Sequence, residues 1–265
     1  DSWFSEKSLH ESGGIKRIVK LLDEKGFIER KDGAAWFKSK QFGDEKDRVI
    51  VKSDGAATYL APDIAYHYNK LKQGFDRLIN VWGADHHGYV PRIKASLTAL
   101  GFSPGVLDII LIQLVKLYRE GKPVSMSTRA GKFVTMRELI NEVGSDNVRF
   151  FMLMRRSDAQ LEFDLELAKK RSMEDPVYYV QYAHARICSL FSYAAEKGLK
   201  LGQTDEVKVE LLTEEEEINL IKSLSFYPEV VEGSAKYLEP HRLTAYLQQV
   251  AANLHNFYDR LKILR

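Results

Sequence analysis

Residues 77–89 read RLINVWGADHHGY and place a continuous apolar segment directly before Gly83, Ala84 and Asp85. The apolar run predicts a buried strand that leaves its sheet at the glycine. Helical patterns flank it at 63–74 and 89–101, and a second apolar segment follows at 106–118. Alternation of helices with buried strands predicts an α/β fold with a doubly wound parallel sheet. Such sheets bind ligands at the carboxyl ends of their strands, which makes Gly83 and Asp85 candidate site residues.

The run Asp85-His86-His87 allows more than one interpretation. It suits a ligand site at the strand end, but a tight strand exit followed by a solvated loop explains it equally well. Adjacent histidines on an extended segment point to opposite faces, and no third ligand occurs at a zinc-like spacing. We therefore predict no metal site, although a metal hydrolase using Asp85 and His86 stays a minor alternative that elemental analysis would test.

Two regions on either side of this sheet have different patterns. Residues 14–26 predict one helix that ends at Gly26, and residues 27–60 alternate short apolar runs with Asp-Gly pairs at 32–33 and 54–55. The second region predicts a small antiparallel sheet inserted into the larger fold. Beyond residue 139 the chain is predicted to be all helical, with Ser145 as an N-cap and Pro176 opening a long helix. The predicted core stripe of that long helix is Val177, Val180, Ala183, Ile187 and Leu190, and that of the last helix is Leu243, Leu247, Val250 and Leu254.

Composition excludes several classes of protein. The 265 residues carry 39 basic and 37 acidic side chains, a formal net charge of +2, so a polyanionic partner would have to meet a local basic patch. Charged and polar residues interrupt every long apolar run, which argues against a membrane span. The single cysteine, Cys188, excludes an internal disulfide framework, fits a reducing compartment, and is expected to be a small buried side chain in a helix.

A basic loop follows Gly121. The stretch KPVSMSTRAGKF packs Lys122, Arg129 and Lys132 around Ser125 and Ser127. Hydroxyls, backbone N–H groups and a guanidinium fork are good phosphate ligands. A charged surface loop without function is the alternative, because Lys, Ser and Gly are common in loops.

Five segments together resemble one family. They are TYLAPDIAYHYNK (58–70), VWGADHHGYVPRIKASLTALG (81–101), VSMSTRAGKFVTMREL (124–139), NVRFFMLMRRSDAQLEFDLELA (147–168) and DPVYYVQYAHARI (175–187). In this order and at these separations they are similar to bacterial-type arginyl-tRNA synthetases, which are class I aminoacyl-tRNA synthetases. The resemblance runs over the whole chain, and its strength lies in the order of the segments.

The resemblance implies ATP-dependent activation of L-arginine and its transfer to tRNA(Arg), with ATP and Mg²⁺ as substrate rather than as a tightly bound cofactor. It implies a cytoplasmic protein, monomeric at full length, with no membrane partner. The implied arginine-binding residues are Tyr59, Asp63, Tyr66 and His86; a carboxylate is the physical complement of a guanidinium. Asp63 could also serve simply as a helix N-terminal acid.

Other implied roles fall on the strand end, the loop and the helices. The implied ATP-binding residues are Gly83, Asp85, His87, Met126 and Ser127, and the implied catalytic residues, which would stabilise charge on the pyrophosphate, are Ser127, Arg129 and Lys132. Candidates for tRNA contact are Arg155, Tyr182 and Arg186, whose rings and cations could stack on bases. An outer layer of a helix bundle is the alternative for those rings.

The chain departs from the family pattern in three places. The usual Lys-Met-Ser-Lys-Ser signature reads Ser125-Met126-Ser127-Thr128-Arg129, so both lysines are replaced, and His86 stands where relatives often have Gln. The first class I signature, His-Ile-Gly-His or a close variant, does not occur in the 265 residues. The expectation is therefore an internal portion of the enzyme that is inactive alone, and a non-enzymatic RNA-binding or regulatory module derived from a synthetase is the alternative.

The expected domain organisation follows from the same resemblance. Residues 1–140 would be the C-terminal half of a Rossmann-type catalytic domain, with the antiparallel insertion at about 27–60. Residues 141–175 would form a helical connecting region, and 176–265 an all-α anticodon-binding helical bundle, truncated at its end.

Overall fold

The computed structural model describes residues 1–124, 133–170, 172–200, 202 and 208–264. The chain forms two compact units, Asp1–Ile112 (the N-terminal unit) and Gln113–Arg265 (the C-terminal unit). Among the residues that the structure describes, none of the helices has the length and hydrophobicity of a transmembrane segment.

The N-terminal unit contains four helices and five strands. The helices are α1 (Glu6–Glu11), α2 (Gly14–Glu24), α3 (Leu60–Lys72) and α4 (Val90–Ala99). The strands are β1 (Ile28–Lys31), β2 (Ala34–Phe37), β3 (Arg48–Val51), β4 (Leu78–Gly83) and β5 (Leu107–Ile112). Short 3₁₀ helices cover Ser39–Phe42, Ala84–Tyr89 and Pro104–Val106.

The antiparallel insertion predicted from the Asp-Gly pairs is present as the sheet β1-β2-β3. Asp32 and Gly33 both have positive φ, 54° and 75°, and form the two-residue turn between β1 and β2. The second Asp-Gly pair makes a turn after β3, in which the Gly55 N–H donates to the Lys52 carbonyl at 3.0 Å. The local turn chemistry therefore predicts both reversals correctly.

The strands β4 and β5 pair in parallel, from Leu78 opposite Leu107 to Gly83 opposite Ile112, with α4 in the crossover. Leu78 and Asn80 are buried, whereas Val81 is 64% exposed. The prediction of a strand buried on both faces is therefore wrong here. Successive side chains of a strand point to opposite faces, and the described elements cover only one face of this pair.

Two predicted boundaries in this region are also wrong. The apolar segment 106–118 is not one strand: β5 ends at Ile112, and a separate strand of the C-terminal unit begins at Val115. The helix expected from Asp63 begins three residues earlier, at Leu60. The pair Ala61-Pro62 thus belongs to the first turn of α3, where a proline needs no hydrogen-bond donor.

The C-terminal unit has three short strands and seven helices among its described residues. The strands are β6 (Val115–Arg119), β7 (Lys122–Pro123) and β8 (Leu161–Asp164). The helices are α5 (Met136–Val143), α6 (Ser145–Leu153), α7 (Leu165–Lys169), α8 (Pro176–Glu196), α9 (Glu215–Ser225), α10 (Tyr227–Tyr237) and α11 (His241–Arg260).

The expectation that the chain is all helical beyond residue 139 is wrong because of β8. This strand pairs in parallel with β6, which lies far away in sequence, and buries Leu161 and Phe163 on one face. The N-cap assignment of Ser145 is also wrong: Gly144, with φ 89° and ψ 153°, is the N-cap of α6. A mirror-image extended backbone of that kind favours glycine.

The helices α8, α9, α10 and α11 form the bundle, with α11 packed against the other three. Pro176 opens α8 as predicted, and the Asp175 side chain caps it by accepting from the Val177 N–H at 2.9 Å. Two predictions about side chains fail. The buried residues of α11 are Thr244, Ala251 and His255, while Leu247 is 43% exposed. Cys188 is exposed rather than buried, because it lies on the outward side of α8.

Candidate functional site

The end of β4 and the 3₁₀ helix Ala84–Tyr89 form one side of the candidate site. An added Cβ on Gly83 would lie 2.5 Å from the Asp85 Oδ1 atom. No real Cβ comes so close to another atom, so the glycine lets the Asp85 carboxylate turn back over the end of the strand. The approach of a ligand to Gly83, which the sequence pattern predicts, stays a prediction.

The carboxylate and imidazoles of this turn are open to solvent. The Asp85 side chain is 78% exposed, and the His86 Nε2 atom lies 3.7 Å from its Oδ2 atom. His87 Nδ1 lies 3.2 Å from the Ala84 carbonyl oxygen, to which it donates when protonated. Among the described residues no group of three or more potential ligands could hold a metal ion.

Asp63, in the first turn of α3, supplies the best-defined carboxylate of the site. The Tyr89 hydroxyl donates a hydrogen bond to its Oδ2 atom at 2.8 Å. Burial raises the pKa of Asp63, and the hydrogen bond from Tyr89 acts in the opposite direction. Burial also raises the pKa of the Tyr89 phenol, so this group is a neutral donor at neutral pH. An ionised carboxylate in such a place can pair with a cation.

Tyr66 lies one turn after Asp63, on the same face of α3. Its ring stacks on Phe4 with centroids 4.6 Å apart, and the Lys70 ammonium lies 4.0 Å above the ring centroid. Burial lowers the pKa of Lys70. The Tyr66 ring is therefore held in place by Phe4 and Lys70.

Tyr59 is placed differently from the other candidate residues. It is the N-cap residue of α3, its carbonyl accepts from the Asp63 N–H at 3.4 Å, and its side chain is 86% exposed. Its backbone is therefore tied to Asp63, whereas its ring extends into solvent.

Beneath Asp63 lies a buried chain of hydrogen bonds that sequence reasoning missed. His67 Nδ1 lies 2.7 Å from the Asp63 carbonyl oxygen, which can only accept, so Nδ1 carries the proton. The Asn80 side-chain amide then donates to His67 Nε2 at 2.7 Å. Burial lowers the pKa of His67 and keeps the ring neutral. A lone Asn inside an apolar strand was the available signal, since a buried amide requires a partner.

The predicted phosphate loop lies outside the described residues. Met126, Ser127, Arg129 and Lys132 all fall in 125–132. The described helix α5 begins soon afterwards with a capping box, in which the Thr135 side chain accepts from the Glu138 N–H and the Glu138 carboxylate accepts from the Thr135 N–H.

The three candidates for tRNA contact have different surroundings. Arg155 is exposed. Arg186 donates to Asp259 Oδ1 at 2.8 Å and to His255 Nδ1 at 3.0 Å, and its guanidinium lies 4.4 Å from the Tyr258 ring centroid. Arg186 thus joins α8 to α11. Tyr182 stacks on Tyr178 with an interplanar angle of 7°.

Comparison with known proteins gives two family matches. Residues 6–166 match the family described as tRNA synthetases class I (R), catalytic domain, and residues 180–265 match the DALR anticodon binding domain. The chain is 55% identical over 264 residues to the arginine–tRNA ligase of Syntrophotalea carbinolica and 53% identical over 266 residues to that of Aquifex aeolicus. These alignments cover the whole chain but 48% and 46% of the two relatives, so the chain spans about half their length.

Solved structures agree with these matches. A crystal structure described as an arginyl-tRNA synthetase from Campylobacter jejuni superimposes with a TM-score of 0.89 at 38% identity, covering 99% of this chain and 57% of that one. Thermus thermophilus arginyl-tRNA synthetase, at 21% identity and a TM-score of 0.74, shares the fold over 95% of this chain and 51% of its own.

The fold and the match over residues 6–166 place the chain among the class I aminoacyl-tRNA synthetases. Within that class, the chain belongs to the arginyl-tRNA synthetase family. The α/β fold predicted from the sequence, with its antiparallel insertion and its C-terminal helical bundle, is confirmed.

Proposed function

We propose that this chain is a portion of an arginine–tRNA ligase, which activates L-arginine with ATP and transfers it to tRNA(Arg). The observation that carries the proposal is the half-buried carboxylate of Asp63 on α3, one helical turn before Tyr66. Tyr89, which follows the strand end with Gly83 and Asp85, donates a hydrogen bond to this carboxylate. A half-buried carboxylate near a strand exit suits a cationic amino acid and a nucleotide together.

In this proposal the arginine guanidinium pairs with Asp63, while Tyr59, Tyr66 and His86 close the pocket around it. The guanidinium is planar and its donors form a fork, so a fixed carboxylate can bind it through two parallel hydrogen bonds. Tyr66 lies one helical turn after Asp63 and would line the pocket, with its ring held by Phe4 and Lys70. The exposed Tyr59 ring would cover the pocket from the solvent side.

The nucleotide is proposed to bind at the strand end. Asp85 would accept hydrogen bonds from the ribose hydroxyls, and Gly83, which has no Cβ, would lie against the adenosine. His87, Met126 and Ser127 would complete the ATP site, with Mg²⁺ entering as part of the ATP substrate. The arginine carboxylate would attack the α-phosphorus, and pyrophosphate would leave while Ser127, Arg129 and Lys132 stabilise its charge.

The tRNA is proposed to contact Arg155, Tyr182 and Arg186. The exposure of Arg155 favours contact with a phosphate, and the Tyr178–Tyr182 stack offers an aromatic surface for a base. The domain assignment that we propose places the catalytic portion at 1–140, the connecting region, which includes the strand β8, at 141–175 and the anticodon-binding bundle at 176–265. The whole enzyme is proposed to act in the cytoplasm as a monomer.

Calorimetric titration with a non-hydrolysable arginyl-adenylate analogue tests the proposal. Asp63→Asn and Asp85→Asn should each weaken binding roughly 10- to 100-fold, because each removes charge-assisted hydrogen bonds. The matched control is Asp76→Asn, which alters an exposed carboxylate of the same unit and should bind like the unmodified chain. Equal affinity in all four proteins would rule out this site.

We further propose that the 265-residue chain does not aminoacylate tRNA by itself, because the first class I signature is absent from its sequence. An aminoacylation assay with radiolabelled arginine and tRNA(Arg) measures this directly. Formation of arginyl-tRNA by the chain alone would contradict the proposal.

A further inference from the structure

A hydrogen bond between distant parts of the sequence fixes the carboxylate of Asp63. Tyr89, which ends the 3₁₀ helix after β4, reaches across 26 residues to the first turn of α3. Its ring is held by an edge contact with Trp82, at 5.8 Å between centroids, and by the Arg92 guanidinium, 5.5 Å from the ring centroid. The hydroxyl is therefore presented by a ring that has little freedom to move.

The bond defines what Asp63 can offer to a ligand. The Oδ2 atom accepts from Tyr89 at 2.8 Å, and no other described residue donates a hydrogen bond to this carboxylate. Each carboxylate oxygen has about two acceptor positions, so Oδ1 and the second position on Oδ2 are available. The hydrogen bond to one oxygen restricts rotation of the carboxylate group. This orientation matters because a planar guanidinium forms two parallel hydrogen bonds only with a carboxylate that lies in the same plane.

We infer that Tyr89 is a positioning residue for arginine: its hydroxyl holds the Asp63 carboxylate in the orientation in which it can receive the guanidinium. The inference rests on the proposed function, because it assigns a role within the same pocket. Tyr89 acts through Asp63 and is assigned no contact with the substrate.

Several other groups act on Asp63 from the elements packed around it. They are Glu6 of α1, His67 and Lys70 of α3, and His86 of the 3₁₀ helix, with Arg92 of α4 acting on the Tyr89 ring. His67 binds the Asp63 backbone carbonyl rather than the carboxylate, and Lys70 lies over the Tyr66 ring. Burial raises the pKa of Asp63, and the Tyr89 hydrogen bond is the main influence that lowers it. Removing the hydroxyl should therefore raise this pKa further.

The test compares the 265-residue chain with Tyr89→Phe, which keeps the ring and removes the hydroxyl. Tyr68→Phe is the matched control, because Tyr68 lies on α3 with its ring against Phe102 and forms no hydrogen bond to Asp63. NMR titration of carboxyl carbons measures the pKa of Asp63 without ligand. Calorimetry between pH 4 and pH 8 measures the affinity for L-arginine and for L-citrulline, its neutral analogue.

The expected results are specific to Tyr89→Phe. The pKa of Asp63 rises, arginine affinity at neutral pH falls roughly tenfold, and the acid limb of the binding profile moves to higher pH. Tyr68→Phe shows none of these changes. The inference is overturned if Tyr89→Phe binds arginine as tightly as the unmodified chain does, or if the pKa of Asp63 is the same in both proteins. If the unmodified chain does not prefer arginine to citrulline, the proposed function fails instead, and the positioning role fails with it.

Discussion

The ion pair between Asp44 and Arg48 should be the strongest single polar contribution to the stability of the antiparallel insertion. Arg48 donates to both Asp44 oxygens at 2.8 Å, and the two side chains are 1% and 13% exposed, Asp44 being the less exposed. Asp44 also accepts from the Ser39 hydroxyl at 3.0 Å and from the Glu45 N–H at 2.7 Å. These bonds and the Arg48 charge hold the pKa of Asp44 below its usual range despite burial.

Asp44→Asn keeps the shape of the side chain but leaves the Arg48 charge unpaired. Breaking a buried ion pair costs about 3–5 kcal/mol, and the residual exposure of Arg48 favours the low end, so we expect a loss of about 3 kcal/mol. Asp23→Asn is the matched control: Asp23 pairs with Arg30 at 2.7 Å, but the two side chains are 41% and 70% exposed. An exposed pair contributes at most about 1 kcal/mol.

Urea unfolding followed by tryptophan fluorescence is the assay. Trp3, Trp36 and Trp82 all lie in the N-terminal unit, so the signal reports the unfolding of that unit. A loss of less than about 1 kcal/mol in Asp44→Asn, or equal losses in the two variants, would refute the reasoning from burial.

Two further predictions concern the site. Gly83→Ala should change the free energy of unfolding by less than about 1 kcal/mol relative to the unmodified chain, because the exposed Asp85 side chain can move away from the new Cβ. The same substitution should weaken binding of the arginyl-adenylate analogue. Gly88→Ala, whose Cβ meets no atom within 4 Å, should bind normally, and equal binding by both variants would contradict the role of Gly83. Burial lowers the pKa of His67 in the folded chain. Below the pKa of the unfolded chain, near 6.5, the unfolded chain therefore binds a proton that the folded chain does not. The free energy of unfolding should fall as the pH decreases through this range. Urea unfolding of the unmodified chain and of His67→Gln between pH 7 and pH 5 measures this loss, which should be smaller in the variant.

Local sequence signals predict those parts of the fold that local chemistry determines. The hairpin at Asp32-Gly33 and the helix that opens at Pro176 follow from turn and cap preferences alone. The strand β8 was missed because its four residues become a strand only by pairing with β6. The sequence LEFD does alternate apolar and acidic residues, but a run of four is a weak signal beside the helical patterns that flank it.

Core faces were predicted less well than helix positions. On α11 the apolar periodicity favoured a leucine stripe, whereas the structure buries Thr244 and His255 instead. Both polar side chains have partners, since Thr244 donates to the His241 carbonyl at 2.9 Å and His255 Nδ1 accepts from Arg186 at 3.0 Å. Hydrophobic spacing does not reveal that a polar group will be satisfied after the helices pack.

The candidate site was only partly predictable. The strand exit at Gly83 and Asp85 follows from the pattern of small and acidic residues after an apolar run. The assignment of Asp63 to arginine came from the resemblance to a family, because its spacing alone also fits a helix N-terminal acid. Its contact with Tyr89 depends on the packing of the 3₁₀ helix against α3, which the sequence of neither segment indicates.

In the proposed function, Asp63 gives this chain its site for the arginine guanidinium. The most direct test is the ratio of affinities for L-arginine and L-citrulline, measured by calorimetry in the unmodified chain and in Asp63→Asn. We predict that the unmodified chain prefers arginine by roughly 10- to 100-fold, and that Asp63→Asn binds the two ligands almost equally. A preference for arginine that survives in Asp63→Asn would contradict the account.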